Sequence, residues 1–451
     1  MANVFDKVIG GGLLICVVFA TLAHGAVEPW SIALFELLIL TLLVLWAVKA
    51  VVEKRLELRI PNLAYPLALF LLLGIAQCIT LTNSAGTLSS LSLDPESTRS
   101  AVTTLFFLVA AFWIAANFFA TSARINALVS FLIVFGFIIA FLGLIQLLTE
   151  SGDRLWFRPV QYGSGYLTGP FVNHNHFAGF VELIIPLPVS LLMMRVHRQY
   201  LIFYGFAAVL MAIALILSAS RAGMISGGAT FLFTLGLGAI YNRRVQNLGN
   251  TAHLKSRFAS IRPLIPGVAI FGAMVVAIAA GSAWVGLAPV VDRIADSTVG
   301  RGDQPAETFE SSRGWIWKTT VVMIKANPFT GVGVGAYETA YPKYSDKNET
   351  MVIDRAHNDY LQVLSDTGIV GGAIGLWFLF TFAYNVKRLF LCEDKSLVTI
   401  AIGCAAAVFS LLIHSVFDFN LQLPSMALIF LILNAVLSVI VVSKSNRHRE
   451  A

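Results

Sequence analysis

Residues 31–52, SIALFELLILTLLVLWAVKAVV, hold one acidic and one basic side chain, Glu36 and Lys49, in an otherwise apolar run. Roughly 20 helical residues cross about 30 Å of hydrocarbon. A backbone cut off from water must satisfy its own polar groups, so such a segment is a membrane helix. The rest of the chain repeats this pattern. Of 451 residues 57% are hydrophobic and only 12% charged, and the mean hydropathy is +0.79, outside the range of water-soluble domains.

Comparable runs lie at 8–22, 63–80, 101–119, 127–148, 177–194, 201–218, 224–241, 264–287, 361–384, 397–412 and 424–442. The sequence therefore predicts an all-α polytopic membrane protein with about twelve transmembrane helices. Residues 1–290 hold helices 1–9, residues 291–359 form one large polar loop, and residues 360–451 hold helices 10–12. With a cytoplasmic N-terminus, nineteen of the thirty-one Lys and Arg residues fall on inner segments, among them Lys49, Arg124, Arg195, Lys387 and Arg388. Eight of the other twelve lie in the long loop, whose length removes its weight, so the short loops favour inside termini by nineteen to four. The large loop is then extracytoplasmic. The net charge of +6 is mostly this topological signal and gives no support to a nucleic-acid partner. The first apolar run lacks a small-residue cleavage pattern and reads as a retained helix. Cys16, Cys78 and Cys404 sit within spans and Cys392 on the inner side, with neither a disulfide framework nor metal-type spacing.

Ionisable groups inside spans are costly, so their placement marks a polar site. Glu36, Glu182, Arg221 and Asp366 all fall near outer helix ends in this topology. His24, His174, His176, His357 and His414 face the same side, with Arg154, Arg158, Arg313 and Asp418. A secondary transporter would instead concentrate polar groups at the midplane.

Arg221 sits in Ser218-Ala219-Ser220-Arg221-Ala222-Gly223, read as a short turn between helices. Two readings stand: an arginine snorkelling to headgroups, or a planar bidentate clamp on a phosphate. Arg313 opens a helical stretch running to Lys325, with Trp317, Val321 and Ile324 as its apolar stripe and Lys318 and Lys325 as its basic one. It reads as an amphipathic helix at the membrane surface. The following Gly331-x-Gly333-x-Gly335 lacks the βαβ context of a nucleotide site and reads as flexible loop. His357 is the best candidate for proton transfer, with Asn358 and Asp359 beside it to cap the next helix. His174 and His176, after Asn173, have no Cys or Asp-x-Asp partner to complete a metal site, which leaves sugar hydrogen bonding or capping. Asp366, nine residues after His357, is about 13 Å away along a helix and is expected to pair with an arginine or backbone. Asp418 is placed to orient His357 or Arg221.

These motifs resemble a known family. His357-Asn358, nine residues, then Gly368-Ile369-Val370-Gly371 is similar to the signature of the O-antigen ligase and polymerase superfamily. Gly169 to Gly179, Ser220-Arg221-Ala222-Gly223 and Arg313-Gly314-Trp315 resemble that family in order and spacing, over roughly residues 169–424. The resemblance implies a C-type, inner-membrane glycosyltransferase with a large periplasmic loop and its active site on the periplasmic face. It would take a glycan from undecaprenyl pyrophosphate and join it to a sugar hydroxyl, most readily of the lipid A core, without metal or cofactor. It implies Arg221 and Arg313 as pyrophosphate binders and His357 as the residue that activates the acceptor or positions the donor. Lys318, Asn173, His174, His176, Asn358 and Asp418 complete the expected substrate-binding set, beside membrane lipids. A polymerase joining two carrier-linked repeats, and in another class a polysaccharide flippase, are the alternatives.

Overall fold

The computed structural model describes residues 2–56, 58–82, 88–149, 153–154, 158–159, 166–248, 309–346 and 352–442. The span expected at 264–287 and loop residues 291–308 and 347–351 lie outside the described residues. Helices dominate: α1 (Ala2–Leu22), α2 (Pro29–Glu53), α3 (Ala64–Gln77), α4 (Pro95–Phe118), α5 (Ser122–Leu148), α6 (His174–Ile184), α7 (Pro186–Met193), α8 (Leu201–Leu217) and α9 (Arg221–Leu248). Then come α10 (Phe309–Ala326), α11 (Tyr337–Ala340), α12 (Asp359–Arg388), α13 (Lys395–His414) and α14 (Pro424–Val442). Two short hairpins, Thr80–Thr82 with Leu88–Ser90 and Asp153–Arg154 with Arg158–Pro159, are the extended pieces among the described residues. The protein is an all-helical polytopic membrane protein, with ten described helices long and apolar enough to cross a bilayer, α6 and α7 counting as one. The shorter α3, with 14 residues, spans about 21 Å.

Helix ends follow local chemistry. Pro29 and Pro95 open α2 and α4, where a missing N–H costs nothing. Asp94 caps Ser97 N and Asp394 caps Ser396 and Leu397. Burial then sorts the helices: α14 is 94% and the α6–α7 pair 89% buried over their apolar windows, whereas α2 is 22% buried and faces outward. Thus α13 and α14 run through the bundle centre, α14 packing on α4 and α13 on α7 and α9. At one end, Asp6 of α1 pairs with Lys49 of α2 and Arg124 of α5, each at 2.5 Å, which joins two basic residues assigned to the same side by charge.

At the opposite end α12 is broken. Gly368, with φ 61° and ψ −160°, occupies a region open essentially to glycine alone. The break frees the Ser365 and Asp366 carbonyls and the Ile369 and Val370 amides. The loop after α10 takes up all four: Val332 N donates to Ser365 O (2.9 Å), Gly333 N to Asp366 O (2.9 Å), Ile369 N to Pro328 O (2.8 Å) and Val370 N to Phe329 O (3.3 Å). A Cβ on Gly331 would overlap the Asp366 carbonyl carbon, and one on Gly368 the Phe329 carbonyl carbon. Buried Gln77, at the end of α3, seals the joint by donating to Thr330 O (2.7 Å) and Asp366 O (2.9 Å) and accepting from Val334 N (3.0 Å).

One expectation changes here. The 331–335 glycine segment is no flexible loop but a backbone-to-backbone splice into α12. The face that α10 buries against α12 and Tyr337 is Ile316, Thr320 and Met323, while Val321 of the apolar stripe read from sequence is 38% exposed. Asp366 meets Gln362 Nε2 (3.0 Å) and Gly335 N (3.4 Å), the backbone option, and not an arginine among its hydrogen-bond partners. Gly368→Ala is expected to cost about 1–3 kcal/mol from backbone strain alone, lowering the unfolding midpoint of the detergent-purified protein. An unchanged midpoint contradicts the splice.

Candidate active site

Three helices begin at this end, each capped by a polar side chain. Asn173 Oδ1 accepts from Asn175 N (2.8 Å) at α6, Ser220 Oγ from Gly223 N (3.1 Å) at α9, and Asn358 Oδ1 from Tyr360 and Leu361 N (both 3.0 Å) at α12. Helix N-termini present amide donors and positive dipole ends to one another's neighbourhood. Arg221 is the first residue of α9, not the middle of a turn, and half-buried. A cation there opposes the helix dipole, an arrangement that costs stability but concentrates positive potential for an anion.

His357 precedes the Asn358 cap with φ +50°, and Ala219 precedes the Ser220 cap with φ +53°. Non-glycine residues in the left-handed region carry strain that gathers at functional sites. The imidazole meets Asp418: Nδ1 lies 3.3 Å from Oδ1. The other carboxylate oxygen lies 3.5 Å from Arg313 Nη2, and Arg313 Nη1 donates to Phe417 O. Asp418 is wholly buried, while the side chains of Arg313 and His357 are 17% and 27% exposed. Burial works to raise the Asp418 carboxyl, but the hydrogen bond with His357 and the nearby His176 and Arg313 hold it well below the usual carboxylate range.

The 415–423 loop that carries Asp418 is itself fixed by α12. Asp359 N donates to Ser415 O (2.8 Å), and the Asp359 carboxylate accepts from Ser415 Oγ (2.7 Å) and Leu421 N (3.2 Å). Phe419 stands edge-on to both His357 and His176, with centroids 4.9 and 5.0 Å away. Trp317 Nε1 donates to Ala356 O (3.0 Å), tying α10 to the residue before His357.

Of the residues predicted from sequence, Arg313, His357 and Asp418 come together directly, and His176 joins them through Phe419. His176 is buried, and His174 is half-buried with its ring 5.1 Å from Tyr166. Asn173 and Asn358 serve as caps. Lys318 is exposed, its ammonium 4.9 Å from the Trp315 ring centroid. Arg221 stands two residues from Gly223, which abuts Ala178 and Glu182 of α6. Asp418 pairs with His357, as sequence allowed, and with Arg313, which it did not name. Sequence reasoning also missed the Asp359 staple and the pairing of His414 Nδ1 with Glu182 Oε2 at 3.2 Å. Both involve residues more than fifty positions apart, and only their outward placement hinted at them. Among the described residues, no three His, Cys, Asp or Glu side chains gather as metal ligands.

The depressed Asp418 carboxyl has a stability consequence. Its unfolded value is about 3.9, so its contribution is complete above that pH and is lost as pH falls toward the lower folded value. Asp418→Asn is expected to cost on the order of 3 kcal/mol at neutral pH, by leaving its cationic partners uncompensated, and to flatten the acid-side decline. Unfolding in detergent across pH checks this, and parallel acid limbs for the two proteins would contradict it.

Residues 206–376 match the family model of the O-antigen ligases. No curated protein matches the chain. The matched stretch runs from α8 past the Gly368 break and contains Arg221, Arg313 and His357, while Asp418 and Asn173 to His176 lie outside it. On this match and the motifs it encloses, residues 206–376 are similar to the O-antigen ligase family.

Proposed function

We propose that the protein transfers a glycan from an undecaprenyl-pyrophosphate carrier to a hydroxyl of the lipid A core, without a metal. The site lies on the periplasmic face of the bacterial inner membrane, both termini being cytoplasmic. The observation that carries this reading is Asp418, buried between His357 and Arg313 at 3.3 and 3.5 Å. A carboxylate on Nδ1 orients the ring and leaves Nε2 to accept a proton, the logic of a carboxylate–imidazole base.

In the transfer step the acceptor oxygen attacks the anomeric carbon and its proton passes to His357 Nε2. The bond from that carbon to the pyrophosphate oxygen breaks, and the electron pair leaves with the diphosphate. Arg221 and Arg313 stabilise the charge that develops there, a task that fixed cations and dipoles perform best when already oriented. The capped starts of α6 and α9 add amide dipoles of the same sign. Asn173, His174 and Lys318 are the half-buried or exposed groups suited to sugar hydroxyls and phosphate, while His176 and Asn358 act from behind. Polar groups gathered at one end of the spans favour transfer over a flippase.

Arg221→Ala and Arg313→Ala are each expected to lower transfer by purified protein about 10²- to 10³-fold, by analogy with loss of one oxyanion donor. His357→Ala is expected to remove most of the turnover as well. Parent rates in both arginine variants would refute the clamp. Offering carrier-linked glycan with either lipid A core or a second carrier-linked chain decides the acceptor: product on the core supports ligation, and product only on the second chain replaces it with polymerisation.

A further inference from the structure

Glu182 is fully buried within the α6–α7 span, and so is His414 at the end of α13. Glu182 Oε2 lies 3.2 Å from His414 Nδ1 and accepts from Ser410 Oγ at 3.2 Å. A carboxylate and an imidazole sharing a proton inside a membrane bundle are expensive, and such groups are retained where they act. The pair lies outside the groups assigned above to proton transfer and pyrophosphate binding.

Its neighbours indicate what it does. On one side, a Cβ at Gly223 would lie 2.9 Å from Glu182 Oε1 and 2.9 Å from Ala178 Cβ, so the first turn of α9, which starts with Arg221, seats on this carboxylate. On the other side, the His414 carbonyl accepts from Phe417 N (2.8 Å) and Asp418 N (3.1 Å), so the imidazole sits at the root of the loop that holds Arg313 and His357. A Cβ at Gly179, three residues before Glu182, would come within 2.7 Å of Asn420 Nδ2, so α6 also presses on that loop directly. The charged and titratable groups around the pair are His176 of α6, Asp418 and Arg313.

We infer that Glu182 and His414 are positioning residues that clamp the helix start carrying Arg221 against the loop carrying Asp418, which sets the separation of the two guanidinium groups. This rests on the transfer function proposed above. A hydrogen bond in a low-dielectric interior is stiff and strong when satisfied. Catalysis by oriented cations is sensitive to its loss, because a misplacement of about 1 Å can cost about 10²-fold in rate.

The test is transfer kinetics of full-length protein in detergent, per folded molecule, for Glu182→Ala, Glu182→Gln, Arg221→Ala and the doubles. Glu182→Ala is expected to lower kcat about 10²-fold, with the acceptor KM within about twofold. Glu182→Gln, which still accepts a hydrogen bond from the imidazole, is expected to recover at least about tenfold of that loss. Each double with Arg221→Ala is expected to transfer within about threefold of Arg221→Ala alone, since both changes act through one guanidinium. If Glu182→Ala does not fold, the Gln variant and its double carry the cycle. Parent kcat in the Glu182 variants, or losses that multiply in the doubles, would overturn the inference and leave the transfer reading intact. Parent activity in Arg221→Ala would overturn the inference, and together with parent activity in Arg313→Ala it would refute the clamp on which the transfer reading rests.

Discussion

The arrangement depends on one buried anion. Asp418 has no exposure, and a carboxylate withdrawn from water must find cations and donors or give up its charge. It finds His357, Arg313 and the Phe419 amide. Those partners come from the α12 start, from α10 and from the α13–α14 connection, so one electrostatic requirement draws three distant segments to one end of the bundle. Asp359 acts alongside it: by holding Ser415 and Leu421 it keeps the Asp418 loop facing the residue that precedes its own helix.

A second constraint keeps α10 in place at its far end. The Gly368 break exposes two carbonyls and two amides of α12, and the 328–333 segment replaces each lost helical hydrogen bond with one of its own. The exchange leaves the backbone satisfied while fixing the loop to the helix. Arg313 at one end of α10 and the glycine splice at the other therefore anchor it as a rigid arm. The apolar contacts of Ile316 and Met323 fill the space between.

Much of the membrane architecture was legible in the sequence, because a bilayer demands apolar runs of fixed length and a charge bias that no tertiary contact rewrites. Lys49 and Arg124, assigned to one side by that bias, meet on Asp6. The candidate residues were legible as chemistry: His357 with Asn358, and Arg313 before a tryptophan. Their partners were not. Helical periodicity offered Trp317, Val321 and Ile324 as the apolar stripe of α10, but the face turned to the protein, Ile316, Thr320 and Met323, is set by α12 and Tyr337, which the local pattern does not contain. Gly331, Gly333 and Gly335 read as looseness, since a glycine demanded by close backbone approach looks the same as one tolerated in a loop. Glu182 and His414, 232 positions apart, left no local trace beyond being ionisable groups in apolar spans.

The central claim is that two guanidinium groups and an imidazole, set by Asp418 and the helix starts around it, surround a single diphosphate. An experimental structure of the protein with undecaprenyl pyrophosphate bound tests it most directly. The account predicts diphosphate oxygens within about 3 Å of both Arg221 and Arg313 nitrogens, with His357 Nε2 facing the sugar-bearing side. A diphosphate bound elsewhere, with Arg221 and Arg313 turned toward separate surroundings, would contradict it.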